Sequence, residues 1–174
     1  MPIRWVNGPD IRGMSVYTDA AAGRMQPMPD FDIVLTDAPA DADEAVMAGG
    51  LADFDAEQVG IRDRRRLAVL ARDPATGQTL GGILGRTSLG MLFVDLVYLP
   101  KALRGQGLGG RLMGMVEQEA ARRGCRSGAL ITTSFQAPGF YTRHGWQELA
   151  RMPCNPPGAF RVLMSKTLAG VVDA

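Results

Sequence analysis

The passage from residue 91 to residue 124 constrains this chain more than any other. Met91-Leu92-Phe93-Val94-Asp95-Leu96-Val97-Tyr98-Leu99 is the most apolar run, broken only by Asp95, and it fits a central strand covered on both faces. The glycine-rich Arg104-Gly105-Gln106-Gly107-Leu108-Gly109-Gly110 follows. A helix comes next, predicted to place Leu108, Leu112, Met115 and Val116 on one face. Arg122 and Arg123 fall in its last turn, and Gly124 stops it. Glycines between a strand and a helix let the backbone approach a ligand closely, and a helix start offers unpaired N–H groups with a partial positive charge. The expected guest is an anion, most simply a phosphate or pyrophosphate. For the glycines alone, the competing reading is a tight loop with no ligand.

The segments around this passage indicate an α/β (α+β) domain, a mixed β-sheet flanked by helices. Residues 1–30 show no sustained period and are spaced by Gly8, Pro9, Gly13, Gly23, Pro27 and Pro29, so an N-terminal extension outside the core fold is expected. Phe31 to Leu35 is predicted as a strand. A helix start is expected at Asp37-Ala38-Pro39, or at Asp41 with Glu44 as the cap. That helix should run through Val46, Met47 and Leu51, weakened by Gly49-Gly50, with a second short helix across Phe54 to Val59. Leu67–Ala71 and Thr79–Thr87 suit a hairpin around Asp73-Pro74-Ala75-Thr76-Gly77. After the long helix, Ala129–Thr133 is a predicted strand, and a short helix runs from Pro138 to a stop at Gly145. Trp146–Met152 and Phe160–Lys166 then flank a proline-rich turn as two final strands. The domain is expected over residues 31–168, with 169–174 as a C-terminal tail.

Composition removes several classes of function. With 174 residues, one domain is the natural expectation. Nineteen basic against eighteen acidic residues leave a net charge of +1, which supplies no electrostatic footprint for nucleic acid or an anionic membrane. No apolar run approaches a membrane span, and Met1-Pro2-Ile3-Arg4-Trp5 lacks the basic-then-apolar layout of a secretory signal. Cys125 and Cys154 are too few for a disulfide framework or a zinc site, and the single His144 rules out sites that need several imidazoles. A soluble, cytoplasmic protein holding no metal is the expectation.

Three phosphate-binding patterns compete for residues 104–110. A P-loop needs Lys-Ser or Lys-Thr after its last glycine, and the chain has Arg111-Leu112. Gly105-x-Gly107-x-x-Gly110 fits a dinucleotide fingerprint by letter, but the strand about twenty residues on, Ala129-Leu130-Ile131-Thr132-Thr133, has no acid for a ribose. The third pattern carries furthest. Arg104-x-x-Gly107-x-Gly109 resembles the acyl-CoA turn of the GNAT superfamily of N-acetyltransferases, Gln/Arg-x-x-Gly-x-Gly/Ala. Asp95-Leu96-Val97-Tyr98-Leu99-Pro100 resembles that family's fourth strand, and Phe140-Tyr141-x-x-x-Gly145-Trp146 its later helix-to-strand signature. The resemblance covers roughly residues 31 to 168, and the order of elements agrees with it.

This resemblance implies a centrally splayed sheet, with the strands at 93–99 and 129–133 parting to admit the pantetheine arm of acetyl-CoA. Backbone groups of Val97, Tyr98 and Leu99 would bond the arm and the acetyl carbonyl. Amides of Arg104, Gly105, Gln106, Gly107, Leu108, Gly109 and Gly110 would hold the pyrophosphate. Arg104 and Arg111 would add charge-assisted contacts, although Arg111 also fits a solvated surface. The implied activity is direct transfer of acetyl from acetyl-CoA to a primary amine of a small molecule or peptide within a ternary complex. That chemistry needs a neutral nucleophile, stabilisation of an oxyanion and a proton for the departing thiolate.

The family's equivalent tyrosine points its hydroxyl at the CoA sulfur, which makes Tyr141 the candidate acid; packing beside Phe140 is the alternative. Asp95 is the candidate base, because a carboxylate inside a buried strand is costly unless used or paired. Its alternative is an ion pair with Arg62, Arg86 or Arg143. Asp53, Asp55 and Glu57 border the acceptor pocket in this family, and equally fit an acidic, solvated helix face. His144 fits a cation capping a helix end. Family members carry an asparagine about seven residues before the tyrosine; here that position is Ser134, and Ser134 or Gln136 would take over its contact with the cofactor. Two other functions stay open, a non-catalytic acyl-CoA-binding module and an acyltransferase for a longer acyl group. A homodimer through residues 1–30 or the final strand is open as well.

Overall fold

Six strands, with the apolar run at 91–98 near their centre, build one mixed sheet. The computed structural model describes Arg4–Trp5 and residues 32–168. The expected extension over residues 1–30, apart from the backbone of Arg4 and Trp5, and the tail 169–174 lie outside the described residues. The chain divides into two units, residues 1–51 and 52–174.

In the first unit, β1 (Arg4–Trp5) pairs in parallel with β2 (Val34–Leu35), which is shorter than the predicted strand. The helix α1 (Asp41–Val59) begins in this unit and ends in the second. It is one continuous helix where two were expected: Gly49 and Gly50 lower helix propensity by about 1 kcal/mol each, which is too little to break nineteen residues. Its cap also differs from expectation, since Asp43 reaches back to accept the Ala40 N–H at 3.0 Å.

In the second unit, β3 (Arg65–Arg72), β4 (Thr79–Ser88), β5 (Met91–Tyr98), β6 (Ser127–Thr133), β7 (Gln147–Cys154) and β8 (Ala159–Thr167) form a sheet of order β3-β4-β5-β6-β8-β7. Within this sheet, only β5 and β6 pair in parallel. Their crossover is the helix α2 (Leu108–Arg122), and the shorter α3 (Pro138–Arg143) joins β6 to β7. At about 100° per residue, Leu112, Met113, Val116 and Ala120 of α2 fall within one arc, and all four are buried against Ile83, Leu92, Val162 and Met164 of the sheet. Met115, expected on that face, lies outside the arc and is exposed, and Met113 takes the core position. Each of the larger ones, Leu112, Met113 and Val116, contributes about 1.5–3 kcal/mol when fully buried. Both α2 and α3 end in the same manner. The N–H two residues past the cap returns to the carbonyl of the third-last helical residue: Cys125 to Ala120 at 2.9 Å, and Trp146 to Tyr141 at 3.1 Å.

Candidate active site

The ladder between β5 and β6 is short. It runs from Met91–Ser127 to Val94–Leu130 and then stops. Beyond it β5 stays on β4, with Val97 opposite Ile83, while β6 stays on β8, with Thr132 opposite Val162. The facing edges of residues 95–98 and 131–133 therefore part, and their backbone groups are left without ladder partners on that side. A groove of about 770 Å³ occupies the opening, a volume suited to a small ligand.

Local sequence explains the floor and walls of this groove. Gly105 and Gly107 adopt φ of +76° and +78°, which L side chains rarely tolerate, and so the chain can turn from β5 into α2. Gly107 caps α2 without a side-chain bond, and the first intrahelical donor is the Arg111 N–H at 3.1 Å from the Gly107 carbonyl. The N–H groups of Leu108, Gly109 and Gly110 precede that donor and have no intrahelical acceptor. The helix start is partially positive, and among the described residues no Asp or Glu lines the groove, a setting that suits an anion. Arg104 and Arg143 do line it. The Arg104 Nε donates to the Leu99 carbonyl at 2.7 Å, which ties the turn back to the end of β5.

The opposite wall comes from α3 and the residues before it. Tyr141 is 8% exposed, and burial pushes its phenol above the ordinary tyrosine range. Phe140 packs edge-on against it, with ring centroids 5.1 Å apart. His144 donates from Nδ1 to the Phe140 carbonyl at 2.8 Å when that nitrogen carries the proton, and its ring lies tilted against Phe140. The gap between α2 and α3 is narrow there: a Cβ on Gly110 would stand 2.4 Å from the His144 Nε2.

The model of the acetyltransferase (GNAT) domain matches residues 48–148, more than half of the chain. The chain belongs to the GNAT acetyltransferase family. It is 34% identical over 123 residues to an acetyltransferase of Agrobacterium fabrum, covering 70% of this chain and 88% of that protein. It is 40% identical over 93 residues to the blasticidin-S acetyltransferase of Streptomyces morookaense, covering 53% of this chain and 68% of the relative. A solved structure from Agrobacterium tumefaciens, assigned as an acetyltransferase, superposes with a TM-score of 0.71 at 28% identity and covers 79% of this chain and 99% of its own. As a GNAT acetyltransferase, the chain transfers an acetyl group from acetyl-CoA to an amine. No helix among the described residues is long and apolar enough to cross a membrane.

Within this GNAT domain the residues expected at the site divide into two groups. Val97, Tyr98 and Leu99 on the β5 side, Arg104, Gly105, Gly107, Gly109 and Gly110 on the turn, and Gln136 and Tyr141 opposite all line the groove. Gln106, Leu108, Ser134 and Asp95 are not among the residues that line it. Gln106 bonds the Ala102 carbonyl at 3.1 Å. Leu108 packs on the hydrophobic core. Ser134 exchanges bonds with the Phe160 backbone, donating its N–H at 2.9 Å and accepting on Oγ at 3.1 Å, and so closes the end of β6 onto β8. Gln136 occupies the wall instead, and its Oε1 accepts from the Thr133 N–H at 3.2 Å.

Asp95 departs furthest from its expectation. The β4–β5 register shifts so that Gly85 faces Val94 and Leu84 faces Leu96, leaving Asp95 as the extra residue of a bulge. Its carboxylate is exposed and forms an ion pair with Arg86, which also lies over the Phe93 ring at 4.6 Å. The cost of a buried carboxylate, which made it a candidate base, does not arise. Arg62 is taken by Asp53. Thr132, Phe135 and Ala137 line the groove without having been singled out, and Phe140, Arg143 and His144, expected in packing, ion-pair and capping roles, line it as well. Phe140 was legible from its place beside Tyr141, while the others are brought in by the parting of the strands.

Proposed function

We propose that the groove is the acetyl-CoA site and that the acceptor is a primary amine of a small molecule or peptide, attacked directly in a ternary complex. One observation carries the reading: the β5–β6 ladder stops at Val94–Leu130 directly beside an unpaired helix start, with the buried Tyr141 phenol on the facing wall. The residues fit the co-substrate. The N–H groups of Leu108 to Gly110, with Arg104 and Arg143, suit a pyrophosphate. The unpaired edge of Val97 to Leu99 suits the amides of a pantetheine arm. Tyr141 holds its proton well into the alkaline range and gives it to the departing sulfur. The Arg86 pair supports leaving Asp95 out of the chemistry, so the amine is deprotonated by water or enters neutral. The free thiols of Cys125 and Cys154 support a cytoplasmic setting.

The test is thiol release from acetyl-CoA in the presence of an amine panel, with the product identified by mass. Blasticidin S heads the panel because of the 40% identity to the Streptomyces morookaense enzyme. A polyamine, an aminoglycoside and a peptide with a free N-terminus complete it. Turnover of at least one amine is expected. Stabilisation by CoA with no amine accelerating thiol release over water would leave a cofactor-binding module in place of the proposed transfer.

A further inference from the structure

Behind the groove lies a polar cluster that the reaction as read above does not use. Glu117 on α2 is 16% exposed at its side chain and splits its two oxygens between partners. Its Oε1 accepts from the Trp146 indole at 2.9 Å, and its Oε2 from the Lys166 ammonium at 2.6 Å. Lys166, on β8 and 23% exposed, also donates to the His144 carbonyl at 2.7 Å. Trp146 itself is 1% exposed and has no room to shift, since its ring lies so close to Gly128 that a Cβ there would meet it at 2.8 Å. A pair this far from solvent is not a screened surface bridge, and removing one partner strands the other.

The cluster grips the end of α3 from two sides. The Trp146 N–H returns to the Tyr141 carbonyl at 3.1 Å, and the His144 N–H reaches the same carbonyl at 2.9 Å. The backbone that carries the phenol is thus bonded to Trp146 and His144, and each of those is bonded to the Glu117–Lys166 pair. We propose that Glu117 and Lys166 are positioning residues for Tyr141: the pair fixes the turn His144-Gly145-Trp146 and, through it, the distance of the Tyr141 hydroxyl from the groove. The inference rests on Tyr141 being the proton donor. It assigns the donor's placement to a polar contact that joins α2 and β8 to the turn closing α3. Displacement of a reacting group by about 1 Å costs up to about 10²-fold in rate.

The experiment is a double-mutant cycle on the full chain, using acetyl-CoA and the panel amine turned over fastest. Lys166→Met is expected to lower kcat by about 10- to 100-fold with KM for acetyl-CoA within about threefold. In a Tyr141→Phe background the same change should lower kcat no further, because the group it positions is already gone. Equal falls in both backgrounds would mean that the pair stabilises the fold without acting through Tyr141, and would overturn the inference. A Lys166→Met enzyme with unchanged kcat, beside a slow Tyr141→Phe enzyme, would overturn it while leaving the donor in place. Full turnover by Tyr141→Phe would remove the donor itself and the inference with it. Thermal denaturation accompanies each variant. Should Lys166→Met not fold, Glu117→Gln keeps the side-chain shape, turns an amide N–H toward Lys166 and runs the same cycle with the same readings.

Discussion

Adding one methyl group at Gly110 tests how tightly the two walls of the groove are joined. An alanine Cβ there would lie 2.4 Å from the His144 Nε2 and 3.3 Å from its Cδ2. Carbon contacts settle near ~3.5 Å, so the walls must separate by about 1 Å. The His144 ring cannot simply turn away, because Nδ1 is bonded to the Phe140 carbonyl and the ring packs at a tilt against Phe140 with centroids 4.4 Å apart. The displacement should therefore be shared by α3 and carry Tyr141 with it. Overpacking costs about 1–3 kcal/mol, and helix propensity returns up to about 1 kcal/mol for replacing glycine by alanine. The net loss of about 0–2 kcal/mol lowers Tm by several degrees at most, because 1 kcal/mol is worth about 2–4 °C in a chain of this size. Turnover should fall much more steeply, by up to about 10²-fold. Gly114 supplies the control. It lies one turn further along α2, and a Cβ there meets nothing within 4 Å, so Gly114→Ala should raise Tm by about 2–4 °C and leave turnover alone. Melting by circular dichroism and steady-state thiol release measure both variants. If Gly110→Ala gains stability as Gly114→Ala does and keeps its turnover, α2 and His144 are not in packed contact.

At Gly107, whose φ is +78°, Gly107→Asn tolerates the left-handed backbone while Gly107→Glu adds both strain and a carboxylate at the anion site. CoA at about 100 times its Kd should stabilise the native chain by about 2.7 kcal/mol and the glutamate variant not at all; an equal melting shift in both would place the pyrophosphate elsewhere. Tyr141→Phe should slow turnover by about 10²–10⁴-fold. A donor works while protonated, and burial raises the Tyr141 pKa, so the native rate should fall only above the ordinary tyrosine range, and the variant should lack that limb. Retention of full single-turnover transfer by Tyr141→Phe would make the ring a packing residue. Bonds first from Arg122 and then from Arg123 hold the Glu119 carboxyl down to about 2. Its contribution to stability is present above the ordinary glutamate value of ~4.3 and is lost as pH falls from there toward 2. Glu119→Gln should flatten the decline of Tm across that window, and an unchanged slope would show that other carboxylates set it.

Much of this architecture is written in local patterns. The Asp73–Gly77 turn, the proline opening α3 and the glycines closing α2 and α3 each fix a boundary by the backbone angles they permit or forbid. The groove was legible where one segment supplies it, as the turn from Arg104 to Gly110 does. It was not legible where register decides. Asp95 is an ordinary in-strand residue in the sequence, and only the slip between β4 and β5 makes it the bulge residue that meets Arg86. Ser134 and Gln136 are two residues apart and equally polar, yet the pairing of β6 with β8 draws Ser134 onto the Phe160 backbone just past the ladder and leaves Gln136 at the wall. Glu117 and Lys166, 49 positions apart, give no sign of each other until three elements converge.

Four residue pairs are all that join β5 to β6. In mechanical terms the sheet is two leaves on a short spine, one carrying β3 and β4 and the other β8 and β7. Laid between the leaves, an arm with two amides would serve as an inserted strand and finish a ladder that the chain itself leaves unfinished. Some of the binding free energy would then go into stiffening the protein along its own seam. An acceptor that touches both leaves would meet a fixed surface only after that arm is in place, so an order of binding, co-substrate before amine, would follow from where the rungs stop.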